Sequence, residues 1–280
     1  MKAQWENLLM SSMSLYVDNL VCKQGEGYVN HTGEFFPTQR KYNQFFTYSL
    51  PFKQIVSDVS VTGANVLQGV YVNGSFQNVG SSGLEGILHH KGALLFSVDH
   101  DNDTITGNFS VKEFNVYITT KAEEDLLIKT APQVNPKIAQ NQAEGLDFNT
   151  ETYPAIFLKN MGGYDMPMVM GTENGNIVTN IRAVILSDSA FSLDAVCGIL
   201  KKTAKRKVPI IESLPFNALG AFTGITYDYD ALRLGAQRNA HIWNTRVSKV
   251  MPQTGGVADL DLNVHVALVD FEVYALFEDD

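Results

Sequence analysis

Gly69-Val70-Tyr71-Val72-Asn73-Gly74-Ser75-Phe76 sets an Asn-Gly pair between two strand-like runs. A type I′ turn needs positive φ at both central residues, and Asn followed by Gly supplies it, so the octapeptide predicts a β-hairpin. Working outward, residues 93–98, 104–109 and 113–120 read as three more short strands separated by polar turns. Upstream, Phe45, Phe46, Tyr48 and Leu50 open a strand-like stretch that continues through residues 55–61. Short strands at regular spacing imply a sandwich or small barrel, which places a β-domain at residues 43–120.

On the N-terminal side, Trp5, Leu8, Leu9, Met13, Tyr16 and Leu20 form the stripe of an amphipathic helix. Its apolar face is expected to pack on its own domain, with docking against a neighbouring subunit as the other reading. Residues 25–42 carry the breakers Gly25, Gly27, Asn30, Gly33 and Pro37 and read as a loop or extended arm, so 1–42 is an N-terminal helix with an extended loop.

Residues 121–152 are polar, with Pro132 and Pro136, and read as a linker or arm. They are too polar to form a core and are expected to pack against another subunit, notably through Asn135 to Gln142.

Residues 153–280 read as a second β-rich region with one helix. Ile177, Thr179, Ile181, Ala183 and Ile185 share one strand face and Arg182 takes the other. A helix follows, striped by Leu193, Val196, Ile199 and Leu200 and capped by Ser189 or Ser192. Residues 241–250 and 260–277 return to strands. In the latter the apolar parity changes between Leu268 and Val269, as a β-bulge or bend would produce. No repeat of 20–50 residues is visible. The fold class is therefore mainly β with a few helices (α+β): an antiparallel β-sandwich or barrel-like body with an N-terminal amphipathic helix and a long polar connection.

Composition narrows the chemistry. A net charge of −9, from 30 acidic and 21 basic residues, argues against a general grip on duplex DNA, although an acidic wall along a DNA passage is compatible with it. Cys22 and Cys197 are far apart and read as free thiols. The N-terminus lacks the pattern of a secretion signal and no run of about 18 apolar residues occurs, so synthesis in a cytoplasm and no membrane partner are expected.

Asp99-His100-Asp101-Asn102-Asp103 resembles a calcium loop only in its alternating acids. Thr104 stands where the sharp turn needs Gly, and Ser110 where a bidentate Glu belongs, so a polar hairpin turn is expected. His89 and His90, if placed in a strand, point to opposite faces and cannot share a metal. No zinc or nucleotide motif is present, and Gly80-Ser81-Ser82-Gly83 lacks the spacing of a nucleophile elbow. Glu123-Glu124 and Asp279-Asp280 fall in segments expected to be solvated, where nothing pushes two carboxyl pKa values apart. These absences imply no catalytic residue, cofactor or metal. The one concentrated basic patch is Lys201, Lys202, Lys205, Arg206 and Lys207. A helix C-terminus favours such cations without any partner, and contact with DNA or an acidic neighbouring subunit is the alternative.

The stretches Tyr48-Ser49-Leu50-Pro51-Phe52-Lys53-Gln54-Ile55-Val56-Ser57-Asp58 and residues 69–74, with Lys112-Glu113-Phe114-Asn115-Val116-Tyr117-Ile118 and Tyr153-Pro154-Ala155-Ile156-Phe157, resemble virion structural proteins of tailed bacteriophages. Among virion parts the chain is most similar to neck proteins, the rings that connect head to tail. The resemblance implies a non-enzymatic, homo-oligomeric ring that meets portal or adaptor and tail-side proteins, passes genomic DNA without reading its sequence, and resides in the virion. It brings no catalytic residues. A receptor-binding, decoration or tail-fibre-associated protein is the alternative, and would use Tyr71, Phe76, Tyr227 and Tyr229 as exposed aromatics on one sandwich face.

Overall fold

A computed structural model describes residues 4–38, 41–132, 151–167, 175–250 and 264–277. Helix α1 (Trp5–Asn19) runs into a π-turn at Leu20–Gln24 and is followed by strands β1 (Tyr28–Pro37), β2 (Phe46–Ser49), β3 (Gly69–Val72), β4 (Ser75–Asn78), β5 (Leu84–Leu88), β6 (Ala93–Phe96), β7 (Ile105–Lys112) and β8 (Asn115–Ile118). Helix α2 (Glu123–Lys129) leads to the two-residue strands β9 (Ala131–Pro132) and β10 (Thr152–Tyr153), then to β11 (Ala155–Pro167) and β12 (Gly175–Ser187). Helix α3 (Ala190–Lys201), β13 (Lys207–Ile210), helix α4 (Tyr229–Gly235), β14 (Arg238–Val250) and β15 (His265–Phe277) complete the chain. A seven-stranded sheet has the order β4-β3-β7-β1-β2-β6-β5, and a six-stranded sheet the order β13-β14-β15-β12-β11-β8. The fold is mainly β with an N-terminal helix, and its antiparallel sheets form a nearly closed, barrel-like body.

The Asn73-Gly74 hairpin is present: Gly69 pairs with Asn78 and Val72 with Ser75, while Asn73 and Gly74 take φ of 49° and 82°. The first sheet closes over Phe35, Tyr48, Leu50, Leu84, Phe96 and Phe109. The second sheet buries Ile181, Ala183, Ile185, Val269, Phe271 and Val273 beneath α1 and α3. The α1 stripe packs on its own chain, and burial extends past it to Met10, Leu15 and Val17. Ser189 caps α3 by accepting from the Phe191 amide at 3.2 Å, and Leu193, Val196 and Leu200 face the core.

Four expectations are corrected. Residues 28–37, read as a loop or arm, form a full strand, because eight consecutive pairings with β7, from Tyr28–Lys112 to Phe35–Ile105, satisfy its backbone whatever its side chains prefer. The acidic stretch 99–103 is no hairpin turn, since β6 and β7 are separated by β2 and β1 and the segment crosses between them. His89 and His90 lie in a 3₁₀ turn, His89–Lys91, so the strand geometry assumed for them does not apply.

The parity change in β15 is not a bulge, since its register with β12 runs unbroken from Gly175–Phe277 to Ser187–His265. It marks a strand with both faces covered. Val264 and Val266 meet a small core with Leu126, Phe157 and Leu186, while Val269, Phe271 and Val273 meet the main one. The irregularities fall instead in β11, between Asn160 and Gly163, and in β14, between Ile242 and Asn244.

In the polar connection, α2 packs on its own chain through fully buried Leu126. Asn135 to Gln142 lie outside the described residues.

A buried polar seam ties the two sheets together. Asp18 of α1 accepts from the Lys112 ammonium at 2.7 Å, with both side chains almost wholly buried, and from the Tyr227 hydroxyl at 3.3 Å. Next to it, Asp58 accepts from the Asn19 amide at 2.7 Å and from the backbone N–H groups of Ser60 and Tyr229 at 2.9 and 3.0 Å. Burial raises the Tyr227 hydroxyl well above its usual pKa, and Asp18 and Asp58 add to the effect, so it stays protonated and donates. Removing one partner of such a pair strands a charge, so Lys112→Met is expected to cost about 3–5 kcal/mol in urea unfolding followed by circular dichroism. Lys112→Met combined with Asp18→Leu should cost less than Lys112→Met alone. A single-variant loss of under about 0.5 kcal/mol would show that the seam carries no stability.

Candidate functional site

The second sheet treats its edges unequally. At one edge, β8 is finished by a side chain: the Gln54 amide donates to Val116 O at 2.9 Å, and its Oε1 accepts from Val116 N at 3.0 Å. This amide stands in for a further strand. β8 is short, however, and pairs with β11 only from Ala155 to Leu158, with Thr119 N donating to Leu158 O just beyond. Past that point no strand among the described residues lies along the outer side of β11, where Met161, Tyr164 and Met166 are exposed. At the far side, β13 covers β14 from Arg238 to His241, and Ile242 bonds to Lys205 and Arg206. From Trp243 onward no described strand continues the sheet there.

These two edges are compatible with each other. Three antiparallel steps separate β14 from β11, so the two strands run in opposite directions. A second copy set beside the first in the same sense presents its β14 antiparallel to β11, continuing the alternation. Their open stretches are staggered along the strands, which is the shear that a closing, tilted sheet requires.

The outward face near these edges carries aromatic and charged residues. Tyr164, Val178, Tyr274 and His241 share one row of the register. The extra residue in β14 is Trp243, 55% exposed, whose ring meets that of Tyr274 at 5.7 Å and lies 3.1 Å below the Lys205 ammonium. The Glu272 carboxylate accepts from the Tyr274 hydroxyl at 3.0 Å and, with the burial that adds to it, pushes that hydroxyl up to about 12. Two rows further along, Arg182 donates to both oxygens of Asp270 at 2.6 and 3.1 Å and to Glu123 of α2 at 2.8 Å, a bidentate clamp that raises its pKa.

The basic cluster gathers in the turn joining α3 to β13, next to this face. Lys201 and Lys202 sit exposed at the end of α3. Lys205, at φ 65°, sends its side chain over Trp243, whereas Arg206 reaches the Tyr16 hydroxyl and holds back the rise in pKa that burial causes there. Lys207 opens β13 opposite His241.

Asp99 and Asp101 accept from the Tyr48 hydroxyl at 3.2 and 3.3 Å. Asp103 accepts from the Asn73 amide and meets the His100 ring, each at 2.6 Å, and these contacts lower its pKa. The acids thus brace the crossover and the β3–β4 turn. Among the described residues no group of three or more His, Cys, Asp or Glu side chains is placed to hold a metal. Glu123 is the partner of Arg182, and Asp279-Asp280 lie outside the described residues. Both cysteines are free and buried. Tyr71 and Phe76 form an exposed ring pair on the hairpin, but Tyr227 and Tyr229 are only 7% and 2% exposed, so the four aromatics do not make one face.

No helix of the described residues is long and apolar enough to cross a membrane. No protein-family model matches the chain, and no curated protein matches it in sequence.

Gln54→Ala leaves the N–H and C=O of Val116 without their cap. It is expected to destabilise the fold by about 1–3 kcal/mol in chemical denaturation. Gln54→Glu, which can accept but not donate, should recover only part of the loss; full recovery by Glu would show that the donor half of the cap is dispensable.

Proposed function

We propose that the chain is a non-enzymatic structural protein of a tailed-phage virion. In this reading its copies form a homo-oligomeric neck or connector ring between head and tail, through which DNA passes. The observation that carries the oligomer is the pair of oppositely directed edges on β11 and β14 that no strand among the described residues covers. An unpaired edge invites another strand. Edges on opposite sides of one sheet give a heterologous contact, which closes into a ring when the rotation between copies closes. The acidic balance of 30 to 21 suits a passage, because phosphates opposite dense Lys and Arg would be held by counterion release. The cluster Lys201, Lys202, Lys205, Arg206 and Lys207 then belongs off the axis or at a contact between copies. The virion setting is supported by the sequence resemblance, and the edges favour a ring over a receptor-binding knob.

Electron microscopy and light scattering of the purified chain test this. A closed ring with an axial hole is the expected result. A monomer at every concentration, or a trimeric knob, overturns the reading. Lysine on an open edge discourages pairing, so Met161→Lys with Met166→Lys is expected to give monomers whose melting temperature matches that of wild-type monomer. Intact rings in that variant would place the contact elsewhere.

A further inference from the structure

The outward row of the second sheet runs beyond its aromatic part. Lys207 stands opposite His241, so from β13 to β11 the row reads Lys207, His241, Tyr274, Val178 and Tyr164. Residues directly opposite one another in a ladder share a face. Four gaps of about 4.8 Å make the row about 19 Å long. Val178 is fully covered, whereas Tyr164 is 53% exposed near one end and Lys207 is exposed at the other. Trp243 adds a further exposed ring beside Tyr274, because the irregularity in β14 between Ile242 and Asn244 inserts it there.

The charges on this face are unevenly matched. Arg182 takes the carboxylates of Asp270 and Glu123, and Glu272 holds the Tyr274 hydroxyl. Arg246, opposite Asp270 in the register, is therefore left exposed and without an ion pair among the described residues, and so is Lys207. Lys205 also has no carboxylate among the described residues, and its ammonium rests on one face of the Trp243 ring. Rings and unmatched cations thus alternate over one surface: Tyr164 and Tyr274, then Trp243 with Lys205, then Lys207 and Arg246. The chain's net charge of −9 does not describe this face, where the free groups are cationic.

We propose that this face binds single-stranded nucleic acid, with bases stacked on Trp243 and the tyrosines and phosphates at Lys205, Lys207 and Arg246. Every base has a π-face that a ring can meet, and a cationic groove can follow the backbone, so the pairing needs no particular sequence. A duplex keeps its base faces inside its own stack and meets only the cations. An acidic peptide likewise uses the cations and leaves the rings idle. The proposal does not rest on the connector reading: the row belongs to one chain, and strands added at the β11 and β14 edges would lie in the plane of the sheet and leave its face open.

The test is fluorescence anisotropy of labelled oligothymidylate or oligouridylate, about twelve nucleotides long, titrated with the full-length chain in whatever assembly it adopts, at about 50 mM salt. Saturable binding of either strand is expected, and the tighter of the two tells a DNA from an RNA partner. Tryptophan emission should be quenched in parallel, and Trp5 is the only other tryptophan. A duplex of the same length and poly-glutamate should each bind at least about tenfold more weakly, since neither offers a base to stack. Trp243→Ala should weaken binding at least about fivefold and Trp243→Phe by less. Tyr164→Ala, at an exposed position, serves if Trp243→Ala does not fold. Lys207→Gln with Arg246→Gln should flatten the dependence of log affinity on log salt by about 1.4, at about 0.7 for each phosphate contact. Lys41→Gln, on the first sheet's side of the chain, should change neither affinity nor slope. Absence of saturable binding by both strands overturns the proposal. So does duplex or poly-glutamate binding as tightly, or binding that both aromatic variants leave unchanged.

Discussion

Lys112 ends β7, which lies between β3 and β1 in the first sheet, and its ammonium lies under the N-terminal helix that covers the second. A cation cannot remain there without an anion within reach, and Asp18 is that anion. The requirement fixes the rotation of α1 about its axis. With Asp18 turned to the seam, Leu9, Met13, Val17 and Leu20 fall on the second sheet's core, and Asn19 falls beside Asp58. Asp58 in turn holds the backbone at Ser60 and Tyr229, so a stretch from each half of the chain is fastened to one point. The apolar cores supply most of the stabilisation, as burial of this extent must, whereas the charged seam selects one relative placement of the two sheets.

The same sheet closes one edge with great economy and leaves two others available. A single glutamine amide completes β8, offering both a donor and an acceptor to Val116. Along β11 after Leu158 no side chain among the described residues caps a donor and an acceptor as Gln54 does; Lys159 opens that stretch, a bulge interrupts it between Asn160 and Gly163, and Met161, Tyr164 and Met166 stand exposed before Pro167 ends the strand. Trp243 marks the other side, where the extra residue in β14 sharpens the local twist and turns an aromatic ring outward under a lysine.

What the sequence disclosed follows from how local each signal is. The Asn73-Gly74 hairpin, the α1 stripe and the Ser189 cap are written in adjacent residues and were legible. β1 was not, because its side chains alternate weakly and its pairing comes from residues about 75 positions away. The parity change at Leu268 and Val269 is a true signal with a cause other than a bulge, since two cores on opposite faces of one strand produce the same pattern. Of the candidate site, the basic cluster was visible as composition. The open edges were not, because an edge is defined by what fails to pair with it, and pairing is a property of the whole topology. His89 and His90 were noticed as a pair, but their 3₁₀ turn depends on Gly92 fitting against residues 52 and 53.

The contact between α1 and the strand region near Ile211 spans 199 residues, as the bond from Ile211 N to Ser12 Oγ records. On a ribosome the helix is therefore made well before this part of its cover. At 5–20 residues per second, the apolar face of Leu9, Met13 and Val17 waits about 10–40 s for residues 208–229 to be made. During that time a nascent helix with no cover is a ready client for a chaperone, and premature release would expose it to other unfinished chains. Because the first sheet is complete in sequence by residue 112, it can fold while synthesis continues and carry Lys112 in position, so that residues 208–229, made later, close over a helix already drawn to its counter-charge.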